Sequence, residues 1–399
     1  MNILFLTIGR MNNIEDSGIY TDLLRAFRNK GHFIYTVSPY EKRTGLSTEM
    51  IDKNGAKMLY VSIGNITKCS AIEKGISTIQ IESKFLDAIK EYFKNIKFDL
   101  ILYSTPPITF ANVVKYLKKR DNAKTYLLLK DIFPQNAVDL GMMSKSSWKG
   151  IIYKYFRHKE KNLYALSDRI GCMSQANVDY VLKHNPEIPA EKVEICPNSI
   201  ELRDMLLSAE ERAEMRDKYG IPKGKKVFVY GGNLGRPQGI PFIIECLKAQ
   251  SKNEDAYFLI VGDGTEYHKL EKYFDEAKPK NAKLMSRLPK EDYDRMIAAC
   301  DVGMIFLDHR FTIPNFPSRL LSYMQVGLPV IACTDPNTDV GKVIVDGGFG
   351  WWCESNDVAA FCQAVYDACE ESVINQETIL QYLTDHYDVK NAAELILQK

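Results

Sequence analysis

The chain has 399 residues, of which 45% are apolar and 26% are charged, and its formal net charge is +1. This balance is typical of a soluble globular protein and excludes a disordered or fibrous chain. Near-neutrality removes the whole-molecule argument for nucleic acid as a partner, because binding DNA or RNA needs an excess of positive charge. The length exceeds what one hydrophobic core usually serves, so two domains are expected.

Short apolar runs alternate with amphipathic stretches, which is typical of βαβ units and parallel sheets. The first series predicts helices over residues 19–30 and 110–119 and strands over residues 2–8, 33–38, 100–104, 125–129 and 169–173. The second series predicts strands over residues 227–230, 257–261, 302–306 and 330–333. Between them, residues 196–200 and the charged stretch 208–226 indicate a linker and an entry helix, which places the domain boundary near residue 200.

Cysteine usage and hydropathy indicate the compartment. The nine cysteines contain no C-x-x-C pair, so neither a disulfide framework nor a zinc site is expected, and the compartment should be reducing. The first residues lack the basic start and cleavage site of a secretory signal, and no run of about 18 apolar residues occurs. We therefore expect a cytoplasmic protein, with contact to the inner face of the membrane left open.

Two glycine-rich segments follow predicted strands, at the edge where parallel sheets bind ligands. Residues 230–235 and 261–264 provide small side chains, which let backbone N–H groups approach a phosphate. An ordinary tight turn explains each of them equally well, since neither forms a G-x-G-x-x-G or Walker pattern.

The order of these segments resembles that of the family-4 retaining glycosyltransferases, which have the GT-B fold. Five segments are similar to the family's P-N-G-V-D, G-R-L-x-x-x-K-G, V-G-x-G, L-Y-x-x-A-D-V and E-A-M-A-x-G-x-P-V-I elements, namely residues 196–200, 232–239, 261–264, 296–302 and 322–331. Residues 131–138 resemble a segment of the subgroup that builds bacterial surface polysaccharides. The resemblance implies two Rossmann-like α/β domains with parallel sheets facing across a cleft. It assigns residues 1–200 to an acceptor domain, residues 201–375 to a nucleotide-sugar donor domain, and residues 376–399 to a helix that crosses back to the first domain.

The chain departs from the family at its functional positions. The Arg and Lys that grip the donor diphosphate correspond here to Asn233 and Gln238. In the family's E-x7-E signature, the first carboxylate aligns with Pro314 and the second, usually a ribose partner, with Ser322. These departures leave the negative charge of a diphosphate without its usual partners.

Residues 314–323 contain a replacement for the lost cations. They begin as a turn and pass into a helix, with Pro317 suited to the first helical turn. The N–H groups around Ser318 and Arg319 would face an anion, and the Arg319 guanidinium could grip phosphate in bidentate fashion. A solvated helix charge is the alternative interpretation of Arg319, and a surface charge that of the further cationic candidates Arg236 and Lys130.

The predicted site combines these residues with those that the resemblance implies. The family's histidine in the first domain corresponds to Lys130 or Asp131. The predicted catalytic residues are Arg319, Lys130 and Asp131. The predicted nucleotide-sugar-binding residues are Gly18, Gly232, Asn233, Arg236, Gln238, Gly262, Asp263, Gly264, Arg287, Phe316, Ser318 and Ser322.

Metal and hydrolase chemistry receive little support from the sequence. Asp292-Tyr-Asp294 has the D-x-D form of metal-dependent transferases, but it starts a helical pattern after Pro289, where acids favour the helix N-terminus. The six histidines show no metal-ligand spacing, and no serine lies in a G-x-S-x-G elbow. We expect no metal and no cofactor, with a UDP-sugar as substrate.

Residues 148–161, from Trp148 to Lys161, mix aromatic and basic side chains on a predicted helix. Such a surface could lie on an anionic leaflet, where a lipid-linked acceptor would be found. The alternative is a helix that packs its aromatic residues into the first domain's core.

The resemblance implies a glycosyltransferase that uses a UDP-sugar, with retention at the anomeric carbon. Its acceptor would be a saccharide, lipid-linked in polysaccharide assembly. Two alternatives stay open: a nucleotide-sugar-binding inactive partner subunit, and a GT-B nucleotide-sugar 2-epimerase.

Overall fold

The computed structural model describes residues 1–67, 69–146, 149–370 and 374–398. They form two compact units. The first unit comprises Met1–Glu201 and Val389–Lys399, and the second comprises Leu202–Asp388.

The elements alternate along the chain as the apolar periodicity predicts. The strands are β1 Asn2–Leu6, β2 Phe33–Glu41, β3 Glu49–Lys53, β4 Ala56–Ile63, β5 Leu100–Ser104, β6 Lys124–Leu129, β7 Arg169–Cys172, β8 Val193–Ile195, β9 Lys226–Asn233, β10 Ala256–Asp263, β11 Ala282–Met285, β12 Val302–Phe306, β13 Val330–Thr334 and β14 Gly350–Glu354. The helices are α1 Ile19–Asn29, α2 Ala71–Tyr92, α3 Ala111–Asp121, α4 Gln135–Asp139, α5 Lys149–Leu166, α6 Gln175–His184, α7 Ala209–Tyr219, α8 Ile240–Ala249, α9 Tyr267–Ala277, α10 Lys290–Ala298, α11 Arg319–Gln325, α12 Val340–Asp346, α13 Val358–Glu370, α14 Gln376–Tyr387 and α15 Val389–Leu397.

The sheet of the first unit has the order β3-β4-β2-β1-β5-β6-β7-β8. Its strands run parallel except for β3, which pairs antiparallel with β4. The central strands are buried along most of their length, and β5 is buried at every residue. Helices cover both faces of such a sheet, which explains why its strands are nearly continuous apolar runs.

The sheet of the second unit is parallel throughout, in the order β11-β10-β9-β12-β13-β14. Counted within the unit, this is the order 3-2-1-4-5-6 of doubly wound nucleotide-binding folds. The order reverses between β9 and β12, and the crevice beyond the carboxyl ends of these strands is where such folds bind ligands. The predicted α/β architecture with two parallel sheets is confirmed.

The C-terminal segment contains two helices where the sequence predicted one over residues 376–399. The chain leaves the helical conformation at Asp388, so α14 belongs to the second unit and α15 to the first. Helix α15 buries an apolar face, including Ala393 and Ile396, in the core that also contains α1. Lys30 and Glu394 form an ion pair of 2.8 Å beside it. Lys399 lies outside the described residues.

None of the helices in the described part of the chain combines the length and the apolar character that crossing a bilayer demands.

Candidate functional site

A cavity of about 490 Å³ opens at the carboxyl ends of β9 and β10 in the second unit. Four segments form its walls: the end of β9 with Gly232 and Asn233, the end of β10 with Gly262 and Asp263, residues 287–293 around the start of α10, and the start of α11. The cavity therefore lies at the sheet edge that the reversal of strand order marks for ligand binding. Its volume is within the range of about 300–1,000 Å³ that is typical of small-molecule sites.

Two glycines keep this cavity open. Gly232 has a φ of 129°, and a Cβ added to it would lie 2.5 Å from Nη2 of Arg319. Gly262 has a φ of 159°, and its added Cβ would lie 1.9 Å from the carbonyl oxygen of Gly232. Glycine thus serves both a backbone conformation that other residues rarely adopt and a close approach of two strand ends.

Arg319 lies on this cavity with its guanidinium carbon 4.1 Å from the ring centre of Tyr230. No carboxylate pairs with it among the residues that the structure describes. Burial by itself lowers the pKa of Arg319, but the facing tyrosines outweigh that effect and leave the pKa above its ordinary value. The guanidinium therefore stays charged, and its phosphate-binding edge is not used by a protein anion.

Tyr293 and Tyr323 complete the surroundings of Arg319, and neither was predicted as a site residue from the sequence. The Tyr323 hydroxyl lies 3.1 Å from the carbonyl oxygens of Val229 and Met304, so it is committed to the backbone. The Tyr293 hydroxyl is buried against Gly231 and beside the Tyr323 hydroxyl, and its burial raises its pKa well above the ordinary value. Tyr293 thus forms part of the cavity wall behind the guanidinium.

Several predicted residues line the same cavity. Helix α11 begins at Arg319 with Ser318 as its N-cap, so Pro317 precedes the helix and does not occupy its first turn as expected. Leu320 and Leu321 donate their N–H groups to the carbonyl oxygens of Pro317 and Ser318, so the N–H groups that could face an anion are those of Ser318 and Arg319. The predicted residues that line the cavity are Gly232, Asn233, Gly262, Asp263, Arg287, Ser318, Arg319 and Ser322.

Other predicted residues of the second unit lie outside the cavity. Gln238 accepts a hydrogen bond of 2.8 Å from the Asn233 side chain, so these two neutral residues partly satisfy each other. The Arg236 side chain is 54% exposed and lies 3.7 Å from a Glu266 oxygen. Phe316 is buried among apolar neighbours. An added Cβ on Gly264 would lie 2.4 Å from the Leu234 carbonyl oxygen, so this glycine permits tight backbone packing.

Gly18 and Asp131 belong to the first unit. The Gly18 φ of 172° is extended backbone that any residue adopts, and its N–H donates to Asp22 Oδ1 at 3.0 Å, which fixes the start of α1. Asp131 follows β6 and accepts a hydrogen bond of 2.7 Å from the Asn136 amide. Burial raises the pKa of Asp131 to about 6.

Lys130 occupies the position next to Asp131, but its side chain turns into the first unit. Its ammonium group donates to the carbonyl oxygen of Cys196 at 3.2 Å, in a small cavity that Val389 of α15 also lines. Burial lowers the pKa of Lys130. The ammonium group thereby ties the segment at residue 196 to the end of β6.

The two acids of the D-x-D sequence point to different partners. Asp292 lies 3.1 Å from the Lys218 ammonium, and Asp294 lies 2.5 Å from that of Lys290, one helical turn earlier. Within the described residues, no group of three or more His, Cys, Asp or Glu side chains is placed to hold a metal ion.

The basic aromatic stretch forms most of α5, while Trp148 lies outside the described residues. Three of its cations are paired: Arg157 with Glu160, Lys159 with Glu82, and Lys161 with Glu187. Phe156 packs against the core of the first unit. The exposed apolar side chains of the helix are Ile151, Ile152 and Tyr155, at 70%, 43% and 44%.

Comparison with solved structures identifies the fold class. A structure described as trehalose-6-phosphate from E. coli bound with UDP-2-fluoro glucose matches with a TM-score of 0.74 and 11% identity, over 100% of this chain and 98% of that one. HepE of Anabaena, in complex with UDP-glucose, matches with a TM-score of 0.69 and 14% identity, over the same shares of the two chains. Both consist of two parallel-sheet α/β domains of the GT-B class, and this chain has the same fold.

Sequence comparison identifies similar glycosyltransferases. Residues 211–386 match the model described as Glycosyl transferases group 1. WbjE of Pseudomonas aeruginosa, named as a probable glycosyltransferase, is 28% identical over 293 residues, which are 73% of this chain and 71% of WbjE. WcaI of Escherichia coli K12, named for colanic acid biosynthesis, is 24% identical over 62% of this chain and 60% of WcaI. Residues 211–386 therefore resemble a group 1 glycosyltransferase domain, and the predicted resemblance is confirmed.

Replacement of Gly232 tests whether UDP binds in this cavity. In Gly232→Ala, the added methyl group would collide with Arg319, so we expect UDP binding to weaken by at least about tenfold. The control is Gly224→Ala, because Gly224 also has a positive φ, 77°, but no atom within 4 Å of an added Cβ. Both variants should lower the melting temperature through backbone strain, but only the first should weaken UDP binding measured by calorimetry. Equal UDP affinities in the two variants would contradict this assignment of the cavity.

Proposed function

We propose that this protein transfers a sugar from a UDP-linked donor to a saccharide acceptor, with retention at the anomeric carbon and without a metal ion. The observation that carries the proposal is the guanidinium of Arg319, which lines a cavity of nucleotide size and has no carboxylate partner in the described chain. The solved structures of similar fold that contain UDP-glucose or UDP-2-fluoro glucose support a UDP-sugar as the donor.

The departure of UDP from the sugar explains why a cation beside the diphosphate matters. When the glycosidic bond to UDP breaks, negative charge develops on the diphosphate, and fixed positive groups lower the barrier by stabilising that charge. The N-terminus of a helix contributes about half a charge, and Arg319 adds a full one beside it. In the front-face mechanism that retention implies, a donor phosphate oxygen accepts the acceptor's proton, so no separate protein base is required.

Asp131 is the polar contact that we propose between the first unit and the acceptor sugar. It is one of the two residues, with Lys130, that correspond to the family's histidine, and its raised pKa leaves it ionised at neutral pH but protonated in mild acid. An ionised carboxylate accepts hydrogen bonds from sugar hydroxyl groups.

The acceptor is proposed to be a lipid-linked saccharide in polysaccharide assembly. The resemblance to WcaI, named for colanic acid biosynthesis, supports that class. Most cations of helix α5 are engaged in ion pairs within the protein, so they are less available to lipid head groups. The exposed apolar side chains Ile151, Ile152 and Tyr155 therefore support the contact with a membrane surface. This assignment moves the membrane contact from the charges of residues 148–161 to the exposed apolar side chains.

A donor screen with the purified chain tests the proposal. UDP-sugars are supplied with lipid-linked and free saccharide acceptors in the presence of EDTA, and products are identified by mass spectrometry and by NMR of the anomeric configuration. Transfer with retention is the expected result.

The neutral pair Asn233 and Gln238 favours a second candidate, an inactive partner that binds the nucleotide sugar without turnover. Release of UDP with an epimerised sugar would instead identify an epimerase, and restoration of activity by manganese would contradict metal independence.

Arg319 should contribute mainly to the chemical step. Loss of a charge-assisted hydrogen bond costs about 1.5–3 kcal/mol, so Arg319→Ala should reduce kcat by roughly 10- to 150-fold and change the donor KM less. Arg319→Lys should recover part of the rate, because an ammonium lacks the planar fork. Arg236→Ala is the matched control and should retain the parent rate. A folded Arg319→Ala variant with the parent kcat would remove Arg319 from the mechanism.

Protonation of Asp131 should lower kcat/KM in mild acid, which gives the pH profile an acidic limb. The pKa of its carboxyl is raised to about 6, so the group loses its charge as the pH falls through that value. We expect kcat/KM to decline below about pH 6 and to recover above it. Asp131→Asn should have a low rate without this limb. Asp292→Asn, at an exposed carboxylate in an ion pair, should keep the limb, and a parent-like profile in Asp131→Asn would contradict the role.

Membrane contact can be separated from donor binding. Ile151→Glu with Tyr155→Glu should weaken binding to vesicles that contain an anionic lipid by at least about tenfold, since each buried apolar side chain contributes roughly 1.5–3 kcal/mol. UDP affinity should not change. Val345→Glu, at a residue 52% exposed in the second unit, is the control. Vesicle co-sedimentation that is equal for all three proteins would assign α5 a purely structural role.

A further inference from the structure

Strand β3 forms one edge of the first unit's sheet and pairs only with β4 in the described chain. All five of its residues are exposed, and Met50 and Ile51 are 41% and 37% exposed despite their apolar side chains. An unpaired edge presents a row of backbone N–H and C=O groups that can pair with another strand.

The turn between β3 and β4 determines which backbone groups face outward. Asn54 and Gly55 both have positive φ, 52° and 76°, as a two-residue type I′ hairpin requires. In such a turn the carbonyl of Lys53 accepts from the N–H of Ala56, so these two residues form a hydrogen-bonded pair. Because the pattern alternates, Ile51 and Glu49 also direct their backbone groups to β4. The groups of Met50 and Asp52 therefore point away from the sheet.

We propose that β3 pairs antiparallel with β3 of a second copy of this chain, about a two-fold axis at Ile51. In this register Met50 lies opposite Asp52 of the second copy, and the same holds with the copies exchanged. These are the residues whose N–H and C=O groups face outward, so the pairing forms four backbone hydrogen bonds and joins the two sheets into one. Ile51 meets Ile51 of the second copy at the axis, where side chains approach closely.

The charges of β3 match this register. Glu49 lies opposite Lys53 of the second copy, and Lys53 lies opposite its Glu49, so the two-fold axis creates two ion pairs on one face of the joined sheet. Within one copy, Glu49 accepts a hydrogen bond of 3.2 Å from Tyr40 of β2, which an ion pair with Lys53 of the second copy would have to share or replace. Opposite charges on directly facing residues stabilise a strand pair, and like charges destabilise it.

Neighbouring registers lack this match. An axis at Asp52 would place two carboxylates opposite each other, and an axis at Met50 would place Glu49 opposite Ile51. If the second strand shifted by one residue, the outward-facing backbone groups of one copy would lie opposite residues of the other copy whose groups already bond to its own β4. The sequence Glu-Met-Ile-Asp-Lys thus favours one register, and a second copy of the same strand is the partner that fits it.

Charge reversal tests the pairing. The full chain is examined by sedimentation velocity over a range of concentrations at low salt, because screening weakens exposed ion pairs. The parent should form a dimer. Glu49→Lys and Lys53→Glu each place like charges opposite each other twice and should raise the dimer dissociation constant at least about tenfold. The double variant Glu49→Lys with Lys53→Glu restores both ion pairs in reversed order and should return to a dimer.

The melting temperature of each variant is the control for folding of the first unit, which contains β3, and UDP binding is the control for folding of the second. A parent that stays monomeric at about 100 µM, or a dimer that either single reversal leaves intact, would overturn the proposal. So would a double variant that remains dissociated while it binds UDP like the parent.

Discussion

The guanidinium of Arg319 lies over the face of Tyr230, and much of the second unit's site depends on keeping it there. A cation on an aromatic face is stabilised electrostatically without being neutralised, in contrast to a cation paired with a carboxylate. Gly232 must lack a side chain for the guanidinium to fit, and Tyr323 is held by hydrogen bonds to two strands. The result is a positive charge that is fixed in position and still open to an anion.

This arrangement offers a different solution from the one that the family resemblance implies. Where relatives are expected to place an Arg and a Lys, this chain has Asn233 and Gln238, and their side chains bond to each other. Two flexible cations are thus replaced by a neutral pair and by one arginine whose orientation its aromatic neighbours determine. The cavity therefore contains one guanidinium whose position is fixed by its neighbours, with Arg287 and Lys290 as further cations in its lining.

The sequence predicted nine of the thirteen parallel strands that the structure describes, because strands such as β5 and β12 are buried at every residue and appear as uninterrupted apolar runs. It missed the parallel strands β4, β8, β11 and β14, and it missed β3, whose exposed residues carry three charges in five positions and follow no apolar pattern. The loops of the second unit's cavity were found through their glycines and their order. The packing of Tyr293 was not, since it joins residues far apart in the chain. The inward direction of Lys130 was equally invisible, because a strand pattern does not determine where a long side chain ends.

The first unit is built from two separated segments, and this has a consequence for its assembly. Residues Leu202–Asp388 are synthesised between the body of the first unit and the helix that completes its core. Until α15 emerges, the surface that Val389, Ala393 and Ile396 will cover stays open, with apolar side chains of α1 exposed to water. Domains generally fold in the order of synthesis, yet here the unit that begins first is finished last. The newly made chain therefore passes through a stage in which a folded second unit is tethered to an incomplete first one.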